Sequence, residues 1–226
     1  GSTAFLRYSG IMIRKDGRGI GIPVSVITDC DVRPYDIDKD TNEKIFNEKE
    51  SESTQKEKEN NEKYTNGSVR GFTSPRWTLE YCIAMSCLSE EFHKSVHYGK
   101  KILNARDYIA LTDEKINEAN QEMEKEEEQW HTLPLWKKAY QIYDLMLDKD
   151  GKSGLKAIVA QCFASFLRWK ISVIPENLKQ EKMFDLDLYR LKIDDKKKFE
   201  LKSKIEGDQF LSYIVKAIKY AAGETV

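Results

Sequence analysis

The 226-residue sequence lacks most of the features that announce a function. No apolar run approaches the roughly 18 residues a membrane-spanning helix needs, and the N-terminus has no signal-peptide pattern. With Gly 12 and Pro 5 it is not a low-complexity chain. Lys+Arg 37 against Asp+Glu 38 leave a net charge of -1, which excludes a protein that coats DNA by bulk positive charge or a highly acidic tail, though not a local basic groove. Cysteine is scarce: Cys30, Cys82, Cys87 and Cys162 form no CxxC pair and no zinc-ribbon spacing. Three of them sit in apolar runs, so buried free thiols in a reducing cytoplasm are expected. There is no P-loop, GxGxxG or GxSxG, hence no recognisable nucleotide site in the chain itself, and no internal repeat.

What remains is patterned. Ala4 to Ile13 reads as a helix with Phe5, Leu6, Tyr8, Ile11 and Met12 inward, broken by Asp16-Gly17-Arg18-Gly19. Val24-Ser25-Val26-Ile27-Thr28 is β-branched almost throughout and predicts a short buried strand. Asp36 to Lys63 is nearly all polar and charged, which predicts either a solvated helix or a partly disordered insertion. Val69 to Thr73 predicts a second strand. Ser74-Pro75 then reads as the start of a helix running to about Leu88, with Ser as the cap and Pro in the first helical position. The rear is helical: Asp113–Gln129, Leu135–Leu147, Leu155–Trp169 and Asp208–Ala222, with Met183–Ile193 unassigned. The expected fold class is α/β, a small parallel sheet flanked by helices with an all-helical C-terminal part.

Four residues carry candidate chemistry. Asp29 and Asp31 follow the first strand, at the sheet edge where open α/β folds bind ligands. In extended chain they point the same way and can share a hard cation; otherwise they are loop aspartates capping the next element. Glu80 is the only charged residue from Trp77 to Leu88. On a helix apolar nearly all round, it meets a structural cation, a metal or a catalytic site. Lys156 sits in the first turn of its helix, where the macrodipole disfavours a cation; it either faces a fixed anion or snorkels to water. His93 and His97 stand at i,i+4, a spacing that can hold zinc, but no glutamate follows as in HExxH and no third ligand is evident. Thr78 precedes Glu80 by two residues, a spacing that puts them on opposite flanks of a helix. Arg33, Arg70 and Arg76 flank the candidate site as phosphate contacts or as plain surface charge.

In order, Val24-Ser-Val-Ile-Thr-Asp29-Cys-Asp31, Trp77-Thr-Leu-Glu80-Tyr, Lys156-Ala-Ile-Val-Ala-Gln161 and the closing Phe210-Leu-Ser-Tyr-Ile-Val-Lys-Ala-Ile-Lys-Tyr-Ala resemble the C-terminal half of the overcoming-lysogenization-defect (OLD) family endonucleases. The resemblance spans most of the chain. The DxD is weak alone, the WTLEY block is fairly specific, and the ordered set carries the match. It implies a TOPRIM nuclease domain that nicks or cuts DNA with two Mg2+ or Mn2+ ions. Asp29, Asp31 and Glu80 match the metal ligands, Lys156 the catalytic lysine and Thr78 the small hydroxyl residue near the site.

The sequence departs from the family in two places. A TOPRIM domain opens with a strand and a glutamate, and no such segment precedes Ala4; with its leading Gly1-Ser2, the chain is expected to start after that strand. The family's N-terminal ABC-type ATPase, through which ATP would act, is also outside this sequence. The expected organisation is a nuclease core over residues 1–110, with a charged insertion at about 36–66, and a helical part over 111–226 bearing Lys156. Expected partners are DNA and an upstream or ATPase segment, without membrane and with a homo-oligomer left open; phage defence or DNA processing in the cytoplasm is the expected setting. The competing readings are a non-catalytic TOPRIM-like module that binds DNA or protein, and a helical regulatory or phosphatase-like domain that uses DxD differently.

Overall fold

The computed structural model describes residues 21–103, 112–147, 155–176, 178 and 190–226; the helix expected over Ala4–Ile13 and most of Met183–Ile193 lie outside them. The chain divides into two compact units. The first joins the chain up to Cys82 with Ile205–Val226, and the second is Ile83–Lys204.

In the first unit, β1 (Val24–Thr28) and β4 (Val69–Thr73) form a parallel pair in the register Val24 to Val69 through Thr28 to Thr73. Parallel strands need covering on both faces, and two helices supply it. Helix α1 (Glu50–Tyr64) packs against β4, and α8 (Ser212–Ala221) packs against both strands. Because side chains alternate along a strand, β4 serves the two helices with alternate residues. Val69 joins Val26 and Tyr64 in one apolar cluster, whereas Phe72 joins Tyr213 and Ala217 in another. Hydrogen bonds fasten α8 to the pair: Ser25 Oγ donates to the Ala217 carbonyl at 2.6 Å and the Tyr220 hydroxyl to the Ser68 carbonyl at 3.1 Å.

The charged stretch after residue 36 is ordered. It begins with the antiparallel hairpin β2 (Tyr35–Ile37) and β3 (Lys44–Phe46), and continues into α1. Acidic Glu50 and Glu52 in the first turn and Lys63 in the last suit the helix macrodipole. The helix is less an insertion than a layer of the fold. Asn61 Oδ1 accepts the Thr73 N–H at 2.7 Å and Thr65 Oγ1 the Gly71 N–H at 3.1 Å, so side chains from α1 and its end satisfy donors of β4. A Cβ on Gly71 would stand 2.9 Å from both the Asn61 carbonyl oxygen and the Tyr64 Cβ. Glycine is what lets helix and strand approach this closely.

The second unit is helical among its described residues: α3 (Ser89–Leu103), α4 (Asp113–Trp130), α5 (Leu135–Met146), α6 (Leu155–Lys170) and most of α7 (Asp195–Glu206). Helix α3 is central and packs against α4, α5 and α6. Tyr98, Ile116, Ala119, Cys162 and Phe166 make the core, with Ile102 and Trp169 against it. The crossing of α3 and α6 is close enough that a Cβ on Gly99 would stand 2.9 Å from a Val159 methyl. Thr112 caps α4 by accepting the Lys115 N–H.

The division between units therefore falls at Cys82 and Ile83 rather than near residue 110, and the last helix returns to the first unit. The reason is packing. Helix α3 buries its apolar face among α4–α6, and α8 is needed to cover the sheet. The expected helix from Ser74 to about Leu88 also starts later, as α2 (Leu79–Met85). Ser74 does not cap it. Its hydroxyl accepts the Cys30 N–H at 2.9 Å and donates to the Arg76 carbonyl at 2.6 Å.

Candidate functional site

The loops that leave β1 and β4 meet at the C-terminal end of the parallel pair. The Ser74 N–H donates to the Thr28 carbonyl at 2.9 Å, and the Asp31 N–H to the Trp77 carbonyl at 2.8 Å. The Leu79 N–H donates to a carboxylate oxygen of Asp29 at 2.9 Å. Asp29 thus caps α2 from another segment, and Thr78 completes the cap by accepting the Tyr81 N–H at 3.2 Å. A carboxylate at a helix N-terminus satisfies an orphan donor and meets the positive end of the dipole. These bonds bring Asp29, Asp31, Thr78 and the first turn bearing Glu80 to one sheet edge.

The individual side chains differ from their sequence-based expectations. Asp31 has φ 63°, in the left-handed region, so Asp29 and Asp31 do not stand in the extended geometry that would point both the same way. Asp31 is exposed and lines an open groove of about 540 Å³ together with Arg33, Tyr35, Lys49 and Lys56. Glu80 is half-buried rather than sealed in an apolar helix, because Leu79 and Cys87 nearby are exposed. Thr78 is buried, with its hydroxyl engaged in the cap. Arg76 pairs with Glu50 at 2.7 Å, and Arg70 lies over the Phe72 and Tyr220 rings, so both have structural work. Arg33 remains at the groove, its guanidinium 5.9 Å from the Tyr35 ring centre.

Two hydroxyls at this end of the first unit escaped the sequence reading. Thr73 Oγ1, at the last residue of β4, and the Tyr213 hydroxyl are buried and have no hydrogen-bond partner among the described residues. Burial raises the Tyr213 phenol above its ordinary range, and the charges of Cys82, Asp29 and Glu80 push it the same way. Nothing in the sequence around Tyr213 distinguishes it from an ordinary core tyrosine.

Lys156 belongs to the second unit. It is exposed, and its ammonium lies 5.5 Å from the centre of the Tyr143 ring.

A separate constellation sits within the second unit. His93 and His97 on α3 are buried, and the third partner that the sequence did not reveal is Glu126 on α4. Among the described residues, this is the group of three His, Cys, Asp or Glu side chains whose donor atoms all lie within 4.8 Å of one another, an arrangement that can hold a metal ion. Asp29, Asp31 and Glu80 are not gathered in that way. The two imidazoles hold the Glu126 carboxyl low, at about 2, although burial opposes this.

Comparison of the chain with protein-family models, curated proteins and solved structures returns no match.

Proposed function

We propose that this chain is the metal-dependent nuclease part of an endonuclease of the OLD type, with Asp29, Asp31 and Glu80 forming the cation-binding edge. The observation that carries the reading is the pair of cross-links between the DxD loop and the WTLEY segment, Asp31 N–H to the Trp77 carbonyl and Leu79 N–H to the Asp29 carboxylate. Two segments separated by some fifty positions, each singled out for its acidic residue, are stitched together at the end of a parallel strand pair, where α/β folds place their ligands.

The donor set suits Mg2+ or Mn2+, which take carboxylate oxygens and keep several waters. The buried hydroxyl of Tyr213, without a partner among the described residues and in the field of Asp29 and Glu80, fits a place where a hydrated cation leaves a water to bond. When bound, such a cation polarises a phosphoryl oxygen and acidifies a water. The protein's own contributions are then distinct. Asp31 and Glu80 supply ligand oxygens, and Asp29 holds the start of α2 in place while adding negative charge. Arg33 offers a phosphate contact in the groove beside Asp31. Lys156 lies in the second unit, and a catalytic role for it is proposed from the resemblance alone.

Conversion of supercoiled plasmid to nicked circle tests the proposal, run on this chain alone and on the full-length protein. Mg2+- or Mn2+-dependent nicking that falls about 100-fold or more in both Asp31→Asn and Glu80→Gln is the expected result. A protein that binds DNA but never nicks in either form is instead a non-catalytic TOPRIM-like module.

A further inference from the structure

We propose that His93, His97 and Glu126 form a second metal site, specific for a zinc-class divalent ion and independent of the carboxylate edge in the first unit. The geometry comes first. The Nε2 atoms of His93 and His97 lie 2.8 and 2.7 Å from the same Glu126 carboxylate oxygen and 3.3 Å from each other. Three donor atoms thus converge on one point. In a tetrahedral zinc site with bonds of roughly 2.0–2.1 Å, ligand atoms stand about 3.3 Å apart. The His–His edge already has that length, and opening the carboxylate by about half an ångström completes the triangle.

The proton count supplies an independent argument. A neutral imidazole has one N–H and one bare nitrogen. Yet each of these rings has carboxylates on both sides. Besides Glu126 at Nε2, His97 Nδ1 lies 3.4 Å from Glu122 and His93 Nδ1 lies 3.8 Å from Glu127. If Nε2 carries the proton, Nδ1 presents a lone pair to a carboxylate. With the proton on Nδ1, the two Nε2 lone pairs face Glu126 and each other. Making His97 imidazolium satisfies the contacts within hydrogen-bond distance but buries an organic cation, and charging both rings sets two of them with their Nε2 atoms 3.3 Å apart. A divalent cation at the focus takes up both Nε2 lone pairs and the Glu126 oxygen without burying an organic cation, and leaves the His97 Nδ1–H for Glu122.

The surroundings have the form of a supported metal site. Ligating histidines characteristically give their other N–H to a carboxylate, which fixes tautomer and ring orientation. Glu122 does this for His97 and is itself held by Lys101 at 2.8 Å; the same ammonium reaches Glu118 at 3.0 Å. Trp130 lies over His93, with centroids 5.3 Å apart and planes at 31°, which restricts rotation of that ring. Two imidazoles and a carboxylate favour Zn2+ or a neighbouring first-row ion over Mg2+. Three protein ligands leave a fourth position open, and Glu126 retains 21% side-chain exposure, so a water can reach it. The ion would also tie α3 to α4, the two helices that carry the ligands.

The test is zinc binding by the chelator-treated protein, read by calorimetry and by melting temperature, with Mg2+ as the comparison ion. One Zn2+ per chain should bind and raise the melting temperature, and Mg2+ should not compete for it. Glu126→Gln keeps the size of the side chain and should weaken zinc at least 100-fold; His97→Ala should do the same. Should His97→Ala fail to fold, Glu126→Gln alone carries the comparison. Co2+ in place of Zn2+ should give the visible absorption of a four- or five-coordinate site in wild type and lose it in Glu126→Gln. Asp31→Asn and Glu80→Gln should leave zinc binding unchanged, which keeps this site distinguishable from the nuclease edge. The proposal is overturned if wild type binds no stoichiometric zinc, if Glu126→Gln binds it as tightly as wild type, or if the first-unit variants abolish it.

Discussion

The carboxylate of Asp29 accepts the backbone N–H of Leu79 at 2.9 Å, so the first aspartate of the DxD pair is also the cap of helix α2. One side chain serves stability and the proposed chemistry together, and two substitutions can separate the roles. Asn is as good a cap as Asp but lacks the charge, whereas Ala loses both. Asp29→Ala should lower the unfolding free energy by about 1 kcal/mol, read by urea denaturation, and Asp29→Asn by no more than a few tenths. Metal-dependent nicking should be lost in both. Equal destabilisation by Asn and Ala would deny the capping role.

The tight approach at Gly71 leads to a second expectation. Gly71→Ala forces a methyl against the Asn61 carbonyl and Tyr64, and should destabilise by roughly 1–3 kcal/mol. Hydrogen exchange should localise the damage, with faster exchange at the Gly71 and Thr73 amides that bond to Thr65 and Asn61. Peptides from α3 and α6 should keep their protection. Uniform loss across the chain would contradict this placement of the strain.

A third prediction concerns the thiols. Burial raises Cys30 and pushes Cys82 and Cys162 up to about 12, while Cys87 is exposed. At pH 8 a thiol with that pKa is a thiolate only about one part in ten thousand, and the thiolate is the reactive form. A disulfide-exchange reagent should therefore find one fast thiol in the native protein and all four in urea. Modification of more than one in the native state, at the same rate, would mean that a buried site opens readily.

Lys156 offers the cleanest separation of catalysis from structure. Its side chain is exposed and its ring contact with Tyr143 is worth about 0.5–1 kcal/mol at most. Lys156→Ala should leave the melting temperature and DNA affinity close to wild type while slowing nicking by about 100-fold or more. Unchanged nicking would remove the lysine from the mechanism.

How much of this was legible in the sequence depends on the distance over which each interaction reaches. β1 and β4 could be read because Val24–Thr28 and Val69–Phe72 carry local patterns that need no partner to recognise. The start of α2 was misplaced because Ser74-Pro75 looks like a cap, yet the Ser74 hydroxyl is committed to the loop after β1, 44 positions away. Asp29 could be recognised as a candidate ligand or as a cap of the next element, but not as the cap of α2, since its partner is 50 positions on. The third member of the histidine cluster was hidden for a different reason. Glu126 stands among Glu122, Glu124, Glu127 and Glu128, and only the packing of α4 against α3 selects it. Helix α1 looked like solvated filler because its contribution to the sheet comes from Asn61, Tyr64 and the absence of a side chain at Gly71, none of which has a periodic signature.

The closing helix has a consequence for how the chain is made. Ser25 in the first described strand bonds to Ala217 in α8, 192 positions later, and everything in the second unit lies between them in sequence. As the chain leaves a ribosome, β1 and β4 emerge with α1 to cover one side, but among the described residues the face that receives Tyr213 and Ala217 has no cover until α8 is synthesised. At about 5–20 residues per second that wait is on the order of ten seconds. The helical unit is continuous in sequence and faces no such delay, so it can be complete while the sheet still shows Phe72 to solvent. A stalled or prematurely ended chain would accordingly present a finished helical unit joined to an uncovered strand pair, a species prone to aggregate through the strands.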